Sequence, residues 1–298
     1  MKINSIKFTL SLLTLFIVAA PLFSQDLEPR RWTVMPEGMN VVGIGYGHTS
    51  GDVLFDPVMQ IKDAEVKADT LAVSYIRSFS LAGKALRFDV FLPWHSAQWE
   101  GILRGNPNSA ERKGFGDSRF RLSVNLLNTS TQNTNETSKT VVGAGIAMTA
   151  PTGEYDKNKL INLGQNRFVI RPQIGVVHTR GAWSYELTGS VFFFTDNNDY
   201  FKESIQSQDP LYAIQTHAIY VFDSGIWTSL SAGYGWGGIS SINNEKKDNE
   251  WNNLLMALSF GFSLSRTQSI KFNYMHAQTQ NVTGSNTDTL SIGWSVRF

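Results

Sequence analysis

Cysteine is absent from the 298 residues, so the chain has no disulfide framework, no thiolate metal site and no thiol for lipid attachment. Charge of one sign is also missing: 26 Lys and Arg stand against 25 Asp and Glu, a balance that offers no bulk attraction to nucleic acid. Beyond residue 24 there is no apolar run of the roughly 20 residues that a membrane-spanning helix needs. Helical membrane proteins are thereby excluded. Outer-membrane barrels are not, because strands that alternate lipid-facing and water-facing residues average to an ordinary hydropathy.

The single long apolar run stands at the start. "MKINSIKFTLSLLTLFIVAAPLFSQ" sets Lys2 and Lys7 ahead of an uncharged stretch from Phe8 to Phe23, with the small residue Ser24 before Gln25. This is the pattern of a cleavable secretory signal peptide, residues 1–24, and it leaves residues 25–298 as one domain. Loss of Lys2 and Lys7 gives the exported chain one more acid than base.

The rest of the chain alternates. The closing "DTLSIGWSVRF" puts Leu290, Ile292, Trp294, Val296 and Phe298 on one parity and Thr289, Ser291, Gly293, Ser295 and Arg297 on the other. "LRFDVFL" at 86–92, "RFRLSVNL" at 119–126, "WSYELTGSVFF" at 183–193, "LLMALSFGFSL" at 254–264 and "SIKFNY" at 269–274 repeat the pattern. Weaker versions near 40–48, 70–81, 141–150, 167–178, 211–222 and 226–236 bring the expected number of strands to about twelve. Connections alternate too. Tight turns are expected at Ala82-Gly83-Lys84, Arg180-Gly181, Asp223-Ser224-Gly225 and Ser265-Arg266-Thr267, with a longer polar connection at 128–139. Between them lie Gly-, Asn- and Asp-rich segments near 49–68, 94–116, 152–166, 195–210, 237–250 and 278–287.

A soluble β-sandwich also has short alternating strands. It has no reason to make alternate connections long, and its polar face carries many Lys and Glu rather than sparse Arg. The rhythm instead predicts an all-β, antiparallel up-and-down transmembrane barrel with short turns on the periplasmic side and long loops outside. An open edge has no water to bond in a membrane, so the last strand must pair with the first. Leu290, Ile292, Trp294, Val296 and Phe298 are therefore the expected closing strand. A terminal Phe after alternating apolar residues also resembles the signal read by the outer-membrane barrel-insertion machinery, which implies a Gram-negative outer membrane. Two positions fit poorly: Arg77 shares the apolar parity of Leu71, Val73, Tyr75 and Phe79, and Pro172 interrupts "FVIRPQIGV".

Several blocks carry a family likeness: Pro36-x-Gly38-x-Asn40, Asp56-Pro57, Tyr75-x-Arg77-x-Phe79-x-Leu81-x-Gly83, "GFGDSRFRLSVNL" from Gly114, "APTGEYD" from Ala150 and "INLGQNR" from Ile161. Asp196-Asn197, Gln208-Asp209-Pro210, His217 and Gly237-Gly238 continue it. Together they resemble a bacterial outer-membrane "transporter" family known as "putative phenol meta-degradation pathway proteins". The resemblance implies an outer-membrane barrel and uptake of aromatic or hydrophobic compounds.

If the apolar parity faces lipid, the other faces the lumen. That assigns Arg87, Asp89, Arg119, Arg121, Asn125, Arg167, Arg171, Gln173, Glu186, Gln215, His217, Lys271, Asn273 and Arg297 to the interior. Cations dominate this set, and a narrow low-dielectric lumen focuses their field toward anionic or carbonyl-bearing solutes. The same residues could instead plug a small barrel with ion pairs. A ligand clamp from Tyr155, Asn166 and Arg167 is a further reading of the turn-rich "APTGEYD" and "INLGQNR" segments.

Catalysis is not expected. The histidines His48, His95, His178, His217 and His276 are scattered without metal-ligand spacing, so no metal or cofactor is expected. His95 and Ser96 are neighbours on a strand and point to opposite faces, which cannot make a base and nucleophile pair. "GDSR" at 116–119 opens a strand with no matching Asp-x-x-His after it, and "GIGYG" at 43–47 precedes no crossover helix. The expected function is passive diffusion of small organic solutes, aromatic or anionic ones among them, by a barrel whose partners are outer-membrane lipid, the insertion machinery and the solute. A closed structural or adhesive barrel acting through its outer loops is the first alternative, and an outer-membrane lipid hydrolase the second.

Overall fold

The computed structural model describes residues 27–55, 60–133 and 136–298. The expected signal peptide and the Asp56-Pro57 block lie outside the described residues.

Seventeen strands follow one another with no helix among the described residues. They are β1 (Asn40–Leu54), β2 (Ile61–Leu81), β3 (Lys84–Leu103), β4 (Asn106–Phe115), β5 (Ser118–Asn133), β6 (Glu136–Ala150), β7 (Val169–Arg180), β8 (Trp183–Phe194) and β9 (Asn197–Tyr200). Then come β10 (Ser204–Gln208), β11 (Leu211–Val221), β12 (Trp227–Gly237), β13 (Ser240–Ile242), β14 (Glu245–Lys246), β15 (Trp251–Ser263), β16 (Gln268–Thr279) and β17 (Gly284–Arg297). Twelve of them, β1–β3, β5–β8, β11, β12 and β15–β17, pair antiparallel in a closed ring. Strand β4 folds back on the outer half of β3, while β9, β10, β13 and β14 form a small separate sheet.

Closure is made by β1 and β17, in register from Val41 opposite Arg297 to Leu54 opposite Gly284. Phe298 completes it: its N–H donates to the Asn40 carbonyl at 3.0 Å, and the Asn40 N–H donates to its carbonyl at 2.9 Å. No backbone edge is left for lipid to meet at this joint, which is what a hydrocarbon surround demands.

Alternation decides what faces where, and the outcome is inverted relative to a soluble protein. On β11, Gln215 and His217 are buried while Tyr212 and Ile214 are exposed; on β12, Ser229 and Ser231 are buried and Leu230 is 66% exposed. A polar inside and an apolar outside are incompatible with two sheets packed around a dry centre. Aromatic residues rim the apolar band, with Tyr212, Tyr234 and Trp236 toward the long-loop end and Trp183, Tyr185, Tyr220 and Phe222 toward the short-turn end. From Tyr212 to Tyr220 is roughly 26 Å along the strand, about 20 Å once tilted.

The short turns fall where expected and 152–166 is a strandless connection as read, but several other connections differ from their sequence reading. The segment at 128–139 is largely strand: β5 and β6 pair up to Asn133 opposite Glu136, because Thr129, Thr131, Thr137 and Thr140 suit an extended ladder as well as a loop. Strand pairing likewise runs through most of 49–68, 94–116 and 278–287, so these project as hairpins. Arg77 points outward at the short-turn rim, where its Nη1 donates to Asn40 Oδ1 at 3.2 Å. Pro172 opens a two-residue gap in the pairing of β7 with β8, between Ile170 opposite Phe193 and Gln173 opposite Ser190.

Candidate functional site

The segment ahead of β1 lies inside the barrel. Residues 27–39 show no period of two and join no strand, yet Leu27, Arg31 and Trp32 are buried. Trp32 is 1% exposed and donates through Nε1 to Thr188 Oγ1 at 2.8 Å. Its indole rests on two paired glycines, Gly143 of β6 and Gly175 of β7, and a Cβ on Gly175 would come within 2.0 Å of Nε1. Only the missing side chains make room for the ring. One carboxylate oxygen of Glu186 accepts the backbone N–H groups of Arg30 and Arg31 at 2.9 and 3.3 Å. Leu27 packs with Leu255 and Ala257 on the far wall.

Charge ties this plug to the wall. Glu28 reaches Arg119 at 3.2 Å and Arg121 at 2.7 Å, and Asp89 gathers Arg87 at 2.7 Å, Arg121 at 3.4 Å and Arg31 at 3.6 Å. Burial opposes ionisation of Glu28, but the guanidinium groups of Arg121 and Arg31 outweigh it and hold the carboxyl well below the usual carboxylate range.

Above this layer, toward the long-loop end, is a cavity of about 210 Å³. Arg119, Arg167 and Arg171 supply its cationic wall, each stacked on a ring: Phe91 at 5.1 Å, Phe194 at 4.6 Å and Phe192 at 4.6 Å. Trp99 and Trp251 complete an apolar lining.

The roof is the connection from β6 to β7, residues 151–168. Asp117 pins both its ends, accepting the N–H of Gly153 at 2.9 Å and of Gln165 at 2.8 Å. Burial pushes the Asp117 carboxyl up, against the pull of those two donors. Asn197 ties the roof to the small sheet: its Nδ2 donates to the Tyr155 hydroxyl at 2.9 Å, and its Oδ1 accepts from Asn166 at 2.9 Å. Arg167 Nη2 donates to Gln208 Oε1. The separate sequence blocks thus meet in one place, since "GFGD", "APTGEYD", "INLGQNR", Asp196-Asn197 and Gln208 all contribute to the roof. Tyr155, Asn166 and Arg167 are indeed neighbours there; sequence reasoning did not find Asp117 and Asn197 as their organisers.

Of the residues assigned to the interior, Asp89, Arg121, Arg167, Arg171, Gln173, Glu186, Gln215 and His217 are buried, and Arg87, Arg119, Asn125, Lys271 and Asn273 are half-buried. His217 bonds Ser231 at 2.8 Å and Asn273 accepts from Ser259 at 2.8 Å. Arg297 is exposed at the short-turn rim, where Nε donates to the Arg266 carbonyl at 2.7 Å. Leu290, Ile292, Trp294 and Phe298 are exposed on the outer face. His95 bonds Thr70 Oγ1 at 2.9 Å, and among the described residues no cluster of three His, Asp or Glu could hold a metal ion. The plug is the element missing from the sequence reading. Its one signal was Trp32 and the cations beside it, stranded between signal peptide and first strand.

The family model described as "Putative MetA-pathway of phenol degradation" matches residues 47–292. An outer membrane channel from Pseudomonas putida F1 is similar over 92% of this chain and 100% of its own, with a TM-score of 0.77 at 18% identity. The transport unit of the autotransporter AIDA-I from Escherichia coli is similar over 94% of this chain and 95% of its own, with a TM-score of 0.51 at 10% identity. At these identities the likeness is one of fold. No curated protein sequence matches the chain.

Proposed function

Since the chain belongs to the family described as "Putative MetA-pathway of phenol degradation", we propose that it is an outer-membrane channel that takes small organic solutes inward by diffusion. The reading includes export by a cleaved signal peptide, residues 1–24, delivery by the barrel-insertion machinery, and no catalytic turnover. It rests on one observation above all, the roofed cavity of arginines and aromatic rings inside a barrel whose outer surface is apolar. In this reading a solute enters beneath the 151–168 roof, meets the cationic wall, and passes when the segment at 27–39 leaves the lumen. The lumen-facing residues from Arg87 to Asn273 line that path, while Arg297 stands at its exit.

The plug itself favours a second reading, a closed structural barrel that acts through its outer hairpins. Liposome swelling and planar-bilayer conductance separate the two. Under the channel reading, the full-length protein shows rare openings and a variant loosened at the plug shows frequent ones. Silence from both would establish the closed barrel instead.

A further inference from the structure

Among the described residues the charges in the lumen do not balance. Arg31, Arg87, Arg119, Arg121 and Arg171 surround two carboxylates, Glu28 and Asp89, and every ion pair those acids make is with the first four. Glu186 is turned to the plug backbone and Asp117 to the roof backbone. Arg171 is 7% exposed and makes no ion pair among the described residues; its Nε is buried without an acceptor there. Arg167 is 5% exposed, and although its Nη2 meets Gln208 and Gln165, its Nε and Nη1 are likewise without acceptors among the described residues.

Both guanidinium groups line the same cavity, four residues apart on one inward face. A buried cation with unpaired N–H groups is strongly disfavoured unless an anion meets it, and the planar guanidinium fork matches a carboxylate. The rest of the lining is not that of an inorganic-anion site. Phe91, Phe192, Phe194, Trp99 and Trp251 add aromatic carbon to it, and a cavity of about 150 Å³ already suffices for benzene in an apolar interior. At about 210 Å³ this one has room for a single ring with one small polar substituent.

We propose that the outer cavity is a binding site for a small organic acid, with its carboxylate on Arg171 and Arg167 and its apolar body of about one ring against Phe192, Phe194 and Trp251. This rests on the channel reading for its place on a transport path, but the site itself can be tested separately. Full-length protein in detergent is titrated with benzoate, with its neutral counterpart benzamide, and with inorganic phosphate, and the tryptophan fluorescence of the cavity is followed beside calorimetry.

Benzoate is expected to bind and benzamide to bind about ten- to a hundredfold more weakly, the worth of a charge-assisted bond. Phosphate should not displace benzoate. Arg171→Gln should erase the preference for benzoate over benzamide, and Arg167→Gln should reduce it. Each variant is first shown to keep the heat-modifiable gel mobility of a folded barrel, and Arg171→Lys, which keeps charge but not the fork, should fall between. Equal binding of benzamide, full competition by phosphate, or an unchanged preference in both Gln variants would overturn the site. Benzoate binding without any conductance would overturn the channel reading alone, and conductance without benzoate binding would overturn this one alone.

Discussion

Replacing Trp32 by Ala should open the barrel, and the size of the effect can be worked from its surroundings. The ring is 1% exposed, its N–H is bonded to Thr188, and its six- and five-membered halves rest on Gly143 and Gly175. Truncating a buried Trp to Ala costs about 3–5 kcal/mol, so the balance between docked and undocked plug should shift by roughly two to four powers of ten. Planar bilayers would register this as a rise in open probability. Trypsin provides a second reading, because the bond after Arg31 is shielded while that residue is 6% exposed within the lumen. Cleavage there should be slow in the parent and fast in the variant. Gly175→Ala reaches the same end from the wall, since its Cβ would sit 2.0 Å from the indole nitrogen. Unchanged conductance and unchanged cleavage in both variants would refute the idea that this indole holds the plug in place.

Acid should loosen the same segment. Glu28 faces Arg31, Arg119, Arg121 and Arg171, and its carboxyl is held below its ordinary value of 4.5 when docked, so docking is strongest above pH 4.5 and weakens as pH falls below it, by about 1.4 kcal/mol per unit. Open probability measured from pH 7 down to pH 3 should rise below 4.5, and Glu28→Gln should flatten that rise. Asp117→Asn leaves one of the two roof N–H groups without its acceptor, at about 1–3 kcal/mol, and hydrogen exchange across 151–168 should quicken while the barrel strands stay protected. Leu230→Arg, at a position 66% exposed, should cost about 2–4 kcal/mol in lipid vesicles, where an exposed site on a water-soluble protein would tolerate it; denaturant titration in vesicles reads the difference. Deleting Phe298 removes both hydrogen bonds to Asn40, and the yield of heat-modifiable folded barrel should fall.

The wall of the barrel was legible because its physics is local and periodic. Each strand must sort lipid-facing from water-facing residues, and that sorting is written at every second position, as in Leu290, Ile292 and Trp294 against Ser291 and Ser295. Loop residues were harder to read: Thr129, Thr131 and Thr140 serve a ladder or a turn equally well, and only their partners decide. The plug left no periodic trace, because its place depends on features scattered across the chain, the bare backbones of Gly143 and Gly175 and the carboxylate of Glu186. Arginines could be assigned to the interior by parity, but parity says nothing of pairing. That Arg119 and Arg121 pair with Glu28, while Arg171 makes no ion pair among the described residues, required the plug to be in position.

The plug also braces the cylinder. Through Arg31 it grips Asp89 on β3 and Ser123 on β5, through its backbone it grips Glu186 on β8, and through Arg30 it lies on Trp227 of β12, at 5.3 Å. These anchor points are spread around the circumference, so the segment acts as a strut that resists flattening of the ring into an oval. A barrel stripped of it would be wider in its passage and also softer in its cross-section, and the outer cavity would lose its floor and its fixed width together.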